Sequence, residues 1–211
     1  SQGHVKLLDY EIELGLIIRK EIDSEVEVTS ENFHDYIAGF VIANDVSARD
    51  VQFIEGQWFK GKSYRTFCPV GPIVYLFDKE ETPYLHQLEL TLKVNGEVRQ
   101  SAVTEQLLFK PEETLNELSK LQSFYPGDLW LTGTPGGVAL KLTPEDFELL
   151  SNPFAKLDEK IVRLNESQAK NGQYLKEGDV VTCEIKSVDG KINLGIQETR
   201  VTFSSKPSVL Q

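Results

Sequence analysis

Asp45, Arg49, Gln52 and Lys62 bring an acid, a guanidinium, an amide and an ammonium into one segment, Ala38 to Pro72, and Glu11 and Glu13 add two acids upstream. Carboxylates at close spacing can hold a divalent cation, while neighbouring cations and amides can meet an anionic substrate. A solvated face has no need of such a concentration of titratable groups.

The elements that must deliver these groups read as strands. Phe40 to Ala43 is an apolar run ending in Asn44-Asp45, which predicts a buried strand with a carboxylate at its tip. Tyr10 to Ile18 reads YEIELGLII. Alternation puts Glu11 and Glu13 on one face, roughly 7 Å apart at the Cα level, and Ile12, Leu14, Leu16 and Ile18 on the other. A solvent-facing strand with two acids is the bland alternative for any Glu-x-Glu. Paired carboxylates repel unless a cation or a proton lies between them, and Asp45 supplies a third. Three hard oxygen ligands suit Mg²⁺, Mn²⁺ or Ca²⁺. Zinc is disfavoured, since no second His or Cys stands at ligand spacing from His34.

Ser47 is expected to cap a short helical turn carrying Arg49, Asp50 and Gln52. Gly56 to Ser63, GQWFKGKS, matches the phosphate-loop spacing. That motif needs a buried strand before it and a helix after it. Asp50 to Glu55 is not an apolar run, and Pro69, Gly71 and Pro72 break any long helix that comes next, so nucleotide binding is set aside.

Further along, Ser30 reads as the cap of a short helix bearing Phe33, Tyr36 and Ile37, and Ile73 to Phe77 as a strand. Leu88, Leu90, Leu92 and Val94 alternate into Asn95-Gly96, a strong hairpin signal. Pro111 opens a helix with Leu115, Leu118 and Leu121 on one face. Leu129 to Leu131 is a strand ending in the small residues Thr132 to Gly137. A helical insert is expected over about 141–172, with a cap at Thr143 and helical spacing of Phe154, Leu157, Ile161 and Leu164. Two last strands pair around Asp189-Gly190, with Val181, Cys183 and Ile185 facing Ile192, Leu194 and Ile196. Strands outnumber crossover helices, which predicts a β-rich, mixed α+β domain and not a doubly wound one.

The chain has 211 residues, 40% hydrophobic and 26% charged, enough for one sizeable core. A net charge of -11 argues against nucleic acid as a partner. No run is long enough to span a membrane, and no signal peptide is visible. Cys68 and Cys183 are too few for a disulfide framework, which fits a reducing, cytoplasmic setting. Met is absent, so residue 1 is not a native start. Residues 1–8 read as a tag or truncated leader, 9–203 as the catalytic domain, and 204–211 as a C-terminal tail.

The pieces YEIELG, ANDVSARDVQ, KGKSYRTFCPVGP, LKVNGEVRQ and GDLWLTGTPGGV together resemble the fumarylacetoacetate hydrolase family, from about Asp9 to Phe203 apart from the insert. The resemblance implies a β-roll, a rolled antiparallel sheet with a few peripheral helices, and a homodimer. It implies Mg²⁺, or Mn²⁺ or Ca²⁺, on Glu11, Glu13 and Asp45. It further implies that Arg49, Gln52, Lys62 and Thr134 contact the carboxylate and oxo groups of a small-molecule oxo acid. Among these, Lys62 takes the catalytic part.

The activity it implies is that of a hydrolase, lyase or isomerase on a 2-oxo or 2,4-dioxo acid, of the kind met in aromatic compound catabolism. C–C hydrolysis, decarboxylation and keto–enol isomerisation all build an enolate, which the cation and Lys62 would stabilise. Many members carry a His-Glu pair on a lid before the Glu-x-Glu strand. Nothing before Glu11 matches it, and His4 stands alone. The alternative reading is an inactive, metal-binding relative.

Overall fold

The computed structural model describes residues 5–55 and 58–203. His4 and the rest of the leader up to it, Gly56 and Gln57 of the phosphate-loop look-alike, and the tail expected over 204–211 lie outside the described residues. Among the described residues, ten strands and six α-helices succeed one another. They are β1 (Leu8–Asp9), β2 (Ile12–Ile18), α1 (Phe33–Tyr36), β3 (Ile37–Asn44), β4 (Ser47–Ala48), α2 (Arg49–Glu55), α3 (Trp58–Lys62) and β5 (Tyr75–Leu76). The second half holds β6 (Leu88–Val94), β7 (Glu97–Val103), α4 (Pro111–Ser119), β8 (Leu129–Leu131), α5 (Pro144–Ser151), α6 (Leu157–Gln168), β9 (Val180–Ser187) and β10 (Asn193–Arg200). A 3-10 segment, Lys79–His86, precedes β6.

Every strand pair is antiparallel, and the fold is β-rich, mixed α+β, as expected. One four-stranded sheet runs β5-β3-β2-β8, the other β10-β9-β6-β7, and β1 pairs with β4. The alternating leucines of β6 and Val181, Cys183 and Ile185 of β9 share one buried core with Ile12, Leu14 and Leu16 of β2 and Phe40 and Ile42 of β3. Phe40 stacks on Phe77 at 4.5 Å between ring centroids. Val5 and Leu8 already belong to this core, so the fold takes in residues ahead of the Asp9 boundary.

The hairpin at Asn95-Gly96 forms as its sequence dictates, both residues taking positive φ (51° and 85°), which suits the twist of two-residue hairpin turns. Thr143 caps α5, its hydroxyl accepting from the Asp146 amide. Other local expectations shift. Ser47 does not cap a helix: it lies in β4, paired with Asp9, and its hydroxyl donates to the Asp45 carbonyl. Ser30 does not cap α1, a four-residue helix preceded by Asn32, and Ile37 opens β3 instead. The strand expected from Ile73 to Phe77 shrinks to Tyr75–Leu76. Leu121 lies beyond α4 and is exposed, and Phe154 lies before α6 and is 93% exposed. Ile196 is exposed because a bulge at positive-φ Gly195 reverses the alternation after Leu194. Gln197 turns inward in its place, donating to the Pro69 and Gly71 carbonyls.

Candidate active site

Glu11 sits just before β2 and Glu13 within it, and both are buried, 7% and 4% exposed. β2 is the interior strand between β3 and β8, covered on both faces, so the acids do not look onto solvent as on a surface strand. Asp45 comes directly after the end of β3. The register pairs Ile12 with Asn44, which brings the start of one strand beside the end of the other. The Asp45 amide donates to the Glu11 carbonyl at 2.8 Å, and the Glu11 amide donates to Asn44 Oδ1 at 2.9 Å. Ligand oxygens of Glu11, Glu13 and Asp45 consequently lie within 4.8 Å of one another.

Two cations face this trio. Lys62 Nζ donates to Glu11 Oε2 at 2.7 Å and to Asp45 Oδ2. Burial works against its charge, but its hydrogen bonds to Asp45 and Glu11 outweigh it and hold the ammonium above the usual lysine range. The look-alike loop is thereby explained. α2 and α3 cross closely at Gly61, where a Cβ would stand 3.0 Å from Gln52 Cβ and 3.2 Å from the Ala48 carbonyl. Gly61 lets the helices approach, and Lys62 then reaches the acids. Among the described residues, β4, α2 and α3 account for most of the chain from Asp45 to Lys62.

Arg49 stands at the start of α2, 5% exposed, with its donors spread over three partners. Nε donates to Asp9 Oδ2 at 2.9 Å, Nη1 to Gln52 Oε1 at 2.9 Å, and Nη2 to Glu11 Oε1. In this arrangement the guanidinium steadies Glu11 and orients Gln52, whose buried Nε2 is left without a partner among the described residues. Asp9 is a site residue that sequence reasoning missed. Fully buried, it accepts from Arg49, from the Tyr10 amide, and from the Ala139 and Leu140 amides at 2.7 and 3.0 Å. Its only local signal is its place one residue before the YEIELG run, while its partners lie far along the chain.

Glu13 has no such cation in hydrogen-bonding contact among the described residues. Its Oε2 accepts from the Gly133 amide at 2.6 Å, so the small residues after β8 do bring a backbone N–H close, onto an acid of the site. Burial, reinforced by the Asp45 and Glu11 charges, pushes the Glu13 carboxyl up to about 7 against the pull of that hydrogen bond. A carboxyl so placed takes up a proton or a cation. Three hard oxygens at this spacing, one of them uncompensated, fit Mg²⁺, Mn²⁺ or Ca²⁺.

Thr134 is tied into the same turn, its hydroxyl donating to the Ile12 carbonyl at 2.9 Å. Thr132 to Gly136 also line a cleft of about 940 Å³ whose other walls include Leu107, Phe109 and Trp130. The structure thus gathers Glu11, Glu13, Asp45, Arg49, Gln52 and Lys62 into one network and joins Thr134 to it through the backbone of Ile12.

Residues 1–202 match the model of the fumarylacetoacetate hydrolase C-terminal domain. The human mitochondrial oxaloacetate tautomerase FAHD2A is 37% identical over 188 residues, 88% of this chain and 50% of that protein. The chain therefore spans about half the length of such relatives. Among solved structures, the 2-hydroxyhepta-2,4-diene-1,7-dioate isomerase of Mycobacterium marinum superposes with a TM-score of 0.69 at 29% identity, over 97% of this chain and 62% of that one. The fumarylpyruvate hydrolase of Pseudomonas aeruginosa, in complex with Mn²⁺ and pyruvate, gives 0.68 at 24% identity, over 97% and 70%, a likeness of fold.

Proposed function

The chain belongs to the fumarylacetoacetate hydrolase family, and from that premise we propose that it serves a divalent-metal-dependent enzyme acting on a 2-oxo or 2,4-dioxo acid. The observation that carries the reading is the meeting of Glu11, Glu13 and Asp45 within 4.8 Å, with Lys62 donating to two of them. Glu11, Glu13 and Asp45 would hold the cation, which when bound polarises the 2-oxo group and offsets negative charge developing on it.

This chain's own groups do the rest. Lys62, kept charged by its carboxylate partners, supplies a preorganised ammonium to an oxygen gaining charge. Gln52 offers its unpartnered amide N–H to a substrate oxygen, and Arg49 keeps that amide turned the same way. Arg49 acts on the substrate through Gln52 and Glu11, each of its three nitrogens already donating within the site. The turn at Gly133-Thr134 touches Glu13 and also lines the cleft, which would take the remainder of the substrate. Cleavage, decarboxylation and tautomerisation share this demand for charge stabilisation and differ in where the proton goes.

A homodimer belongs to the same proposal. Val70, Ile73, Val74 and Leu76 are exposed along one segment, and Ile73 lies against Gly195, next to exposed Ile196, which gives apolar surface suited to a second copy. No described helix is long and apolar enough to cross a membrane. Cytoplasmic residence rests on the free thiols of Cys68 and Cys183.

A panel of acylpyruvates, oxaloacetate and hydroxyheptadienedioate-type acids, assayed with and without Mg²⁺ or Mn²⁺, tests the reading. Turnover of at least one acid should depend on the cation, and Asp45→Ala should abolish it while the protein stays folded. Turnover indifferent to metal removal would refute it.

A further inference from the structure

Gln100 lies in β7, in the sheet opposite the acids, yet it is 1% exposed and reaches across to Ile12, the residue between Glu11 and Glu13. A register shift between Leu92 and Lys93 pairs Leu92 with Gln100 and Lys93 with Val98, which leaves Arg99 as the extra residue. The bulge sets Gln100 opposite buried Leu92, and its side chain enters the space between the sheets.

The amide's orientation is fixed by its backbone partners. The Ile12 N–H can only donate, so the oxygen at 3.1 Å from it must be Gln100 Oε1. The Pro135 carbonyl can only accept, so the group at 2.8 Å from it must be Nε2. Nε2 also donates to Thr134 Oγ1 at 2.9 Å. Because the Thr134 hydroxyl accepts there, its own proton goes to the Ile12 carbonyl at 2.9 Å. Both polar groups of Ile12, the residue between the two acids, are therefore held by side chains, and one carboxamide ties them to the turn whose Gly133 amide binds Glu13.

We propose that Gln100 is a positioning residue for the metal site. It locks the Glu11–Ile12–Glu13 backbone to the Gly133-Thr134 turn and fixes the Thr134 hydroxyl, whose proton is then committed inward. Thr134 accordingly has no hydroxyl proton left to donate to an anionic substrate. The inference rests on the metal-dependent reading of the site. It assigns Gln100 no contact with substrate.

Gln100→Glu keeps the size and the acceptor for Ile12 but turns an oxygen on Pro135 and Thr134, while Gln100→Ala removes the tie. Mn²⁺ titration monitored by electron paramagnetic resonance, on protein shown folded by circular dichroism, reads the effect apart from turnover. Losing an outer-shell support typically weakens metal binding about 10–100-fold, and that loss is expected for both variants. Thr134→Val, which cuts the link to Ile12, should weaken it in the same direction, and Thr134→Ser should restore the wild-type value. Mn²⁺ affinity within twofold of wild type in folded Gln100 variants overturns the proposal. If those variants do not fold, the Thr134 pair decides, and Val behaving like Ser overturns it. A wild type that binds no Mn²⁺ overturns the metal reading itself, and this inference with it.

Discussion

Arg49 separates two readings of the same residue. If it chiefly holds the site together, replacing it should cost stability; if it chiefly contacts substrate, replacing it should raise KM and leave stability alone. Arg49→Met keeps much of the volume and removes the charge. Asp9, with no exposed surface, and Glu11, 7% exposed, would each lose a cation. Breaking a buried ion pair by deleting one partner typically costs about 3–5 kcal/mol, because the remaining charge is stranded. Asp9 keeps its bonds from the Tyr10, Ala139 and Leu140 amides, which favours the lower end of that range.

Urea unfolding of wild type, Arg49→Met, Asp9→Asn and the double variant measures this directly. Asp9→Asn removes the charge that Arg49 compensates, so the double variant should cost less than the sum of the single ones, by about 1–3 kcal/mol. Against a typical total stability of about 5–15 kcal/mol, such losses move the unfolding midpoint plainly. Arg49→Lys is the milder probe: an ammonium cannot span Asp9, Gln52 and Glu11 together, so most of the loss should remain. An Arg49→Met protein within about 0.5 kcal/mol of wild type, a change usual for ordinary surface positions, would falsify the anchoring role.

Three other outcomes are expected of the site. Lys62→Met should lower kcat about 10²–10³-fold, the usual loss for one preorganised electrostatic partner; Lys60→Met should cost little, since Lys60 is an exposed residue paired with Glu55, and equal effects on both would show that Lys62 has no special part. Glu13 ionises near 7 in the folded protein and near 4.5 when unfolded; the folded state thus binds more protons between those values, so stability without divalent cation should fall as pH rises from about 4.5 to 7 and then level off, and Glu13→Gln should flatten that part of the profile. The same proton must leave when a cation binds, so calorimetric titration with Mn²⁺ at pH 6 should release protons and at pH 8 almost none, with pH-independent release counting against Glu13 as a ligand.

The features legible in the sequence were those that depend on neighbours along the chain. Asp45 could be read as a strand-tip carboxylate because an apolar run stops two residues earlier, and the hairpin because Asn95-Gly96 is needed for positive φ. Glu11 and Glu13 were visible as a pair, but their burial was not, since the covering strands β3 and β8 come from far downstream. The phosphate-loop spacing around Lys62 could be set aside from its flanking residues, but the use of Gly61 in helix packing shows only in the folded contacts. Period-2 reasoning failed where a bulge intervened. The shifts at Arg99 and at Gly195 each reverse the faces of the strand residues beyond them, so Gln100 is buried and Ile196 exposed without any change in residue pattern to announce it.

Asp9 shows why the remainder of a site escapes such reading. A buried carboxylate is tolerable only when several donors converge on it, and its donors here come from residues 10, 49, 139 and 140. No stretch of sequence contains that set. The same holds for Gln100, a polar side chain inside a strand that would be costly to bury if Ile12, Thr134 and Pro135 did not satisfy it. The groups that could touch a cation or substrate are local and chemically conspicuous. The groups that hold them still are ordinary residues, given their role by long-range contacts. The strand with the acids therefore works as a site only after both sheets have closed on it, which makes folding and assembly of the candidate active site one event.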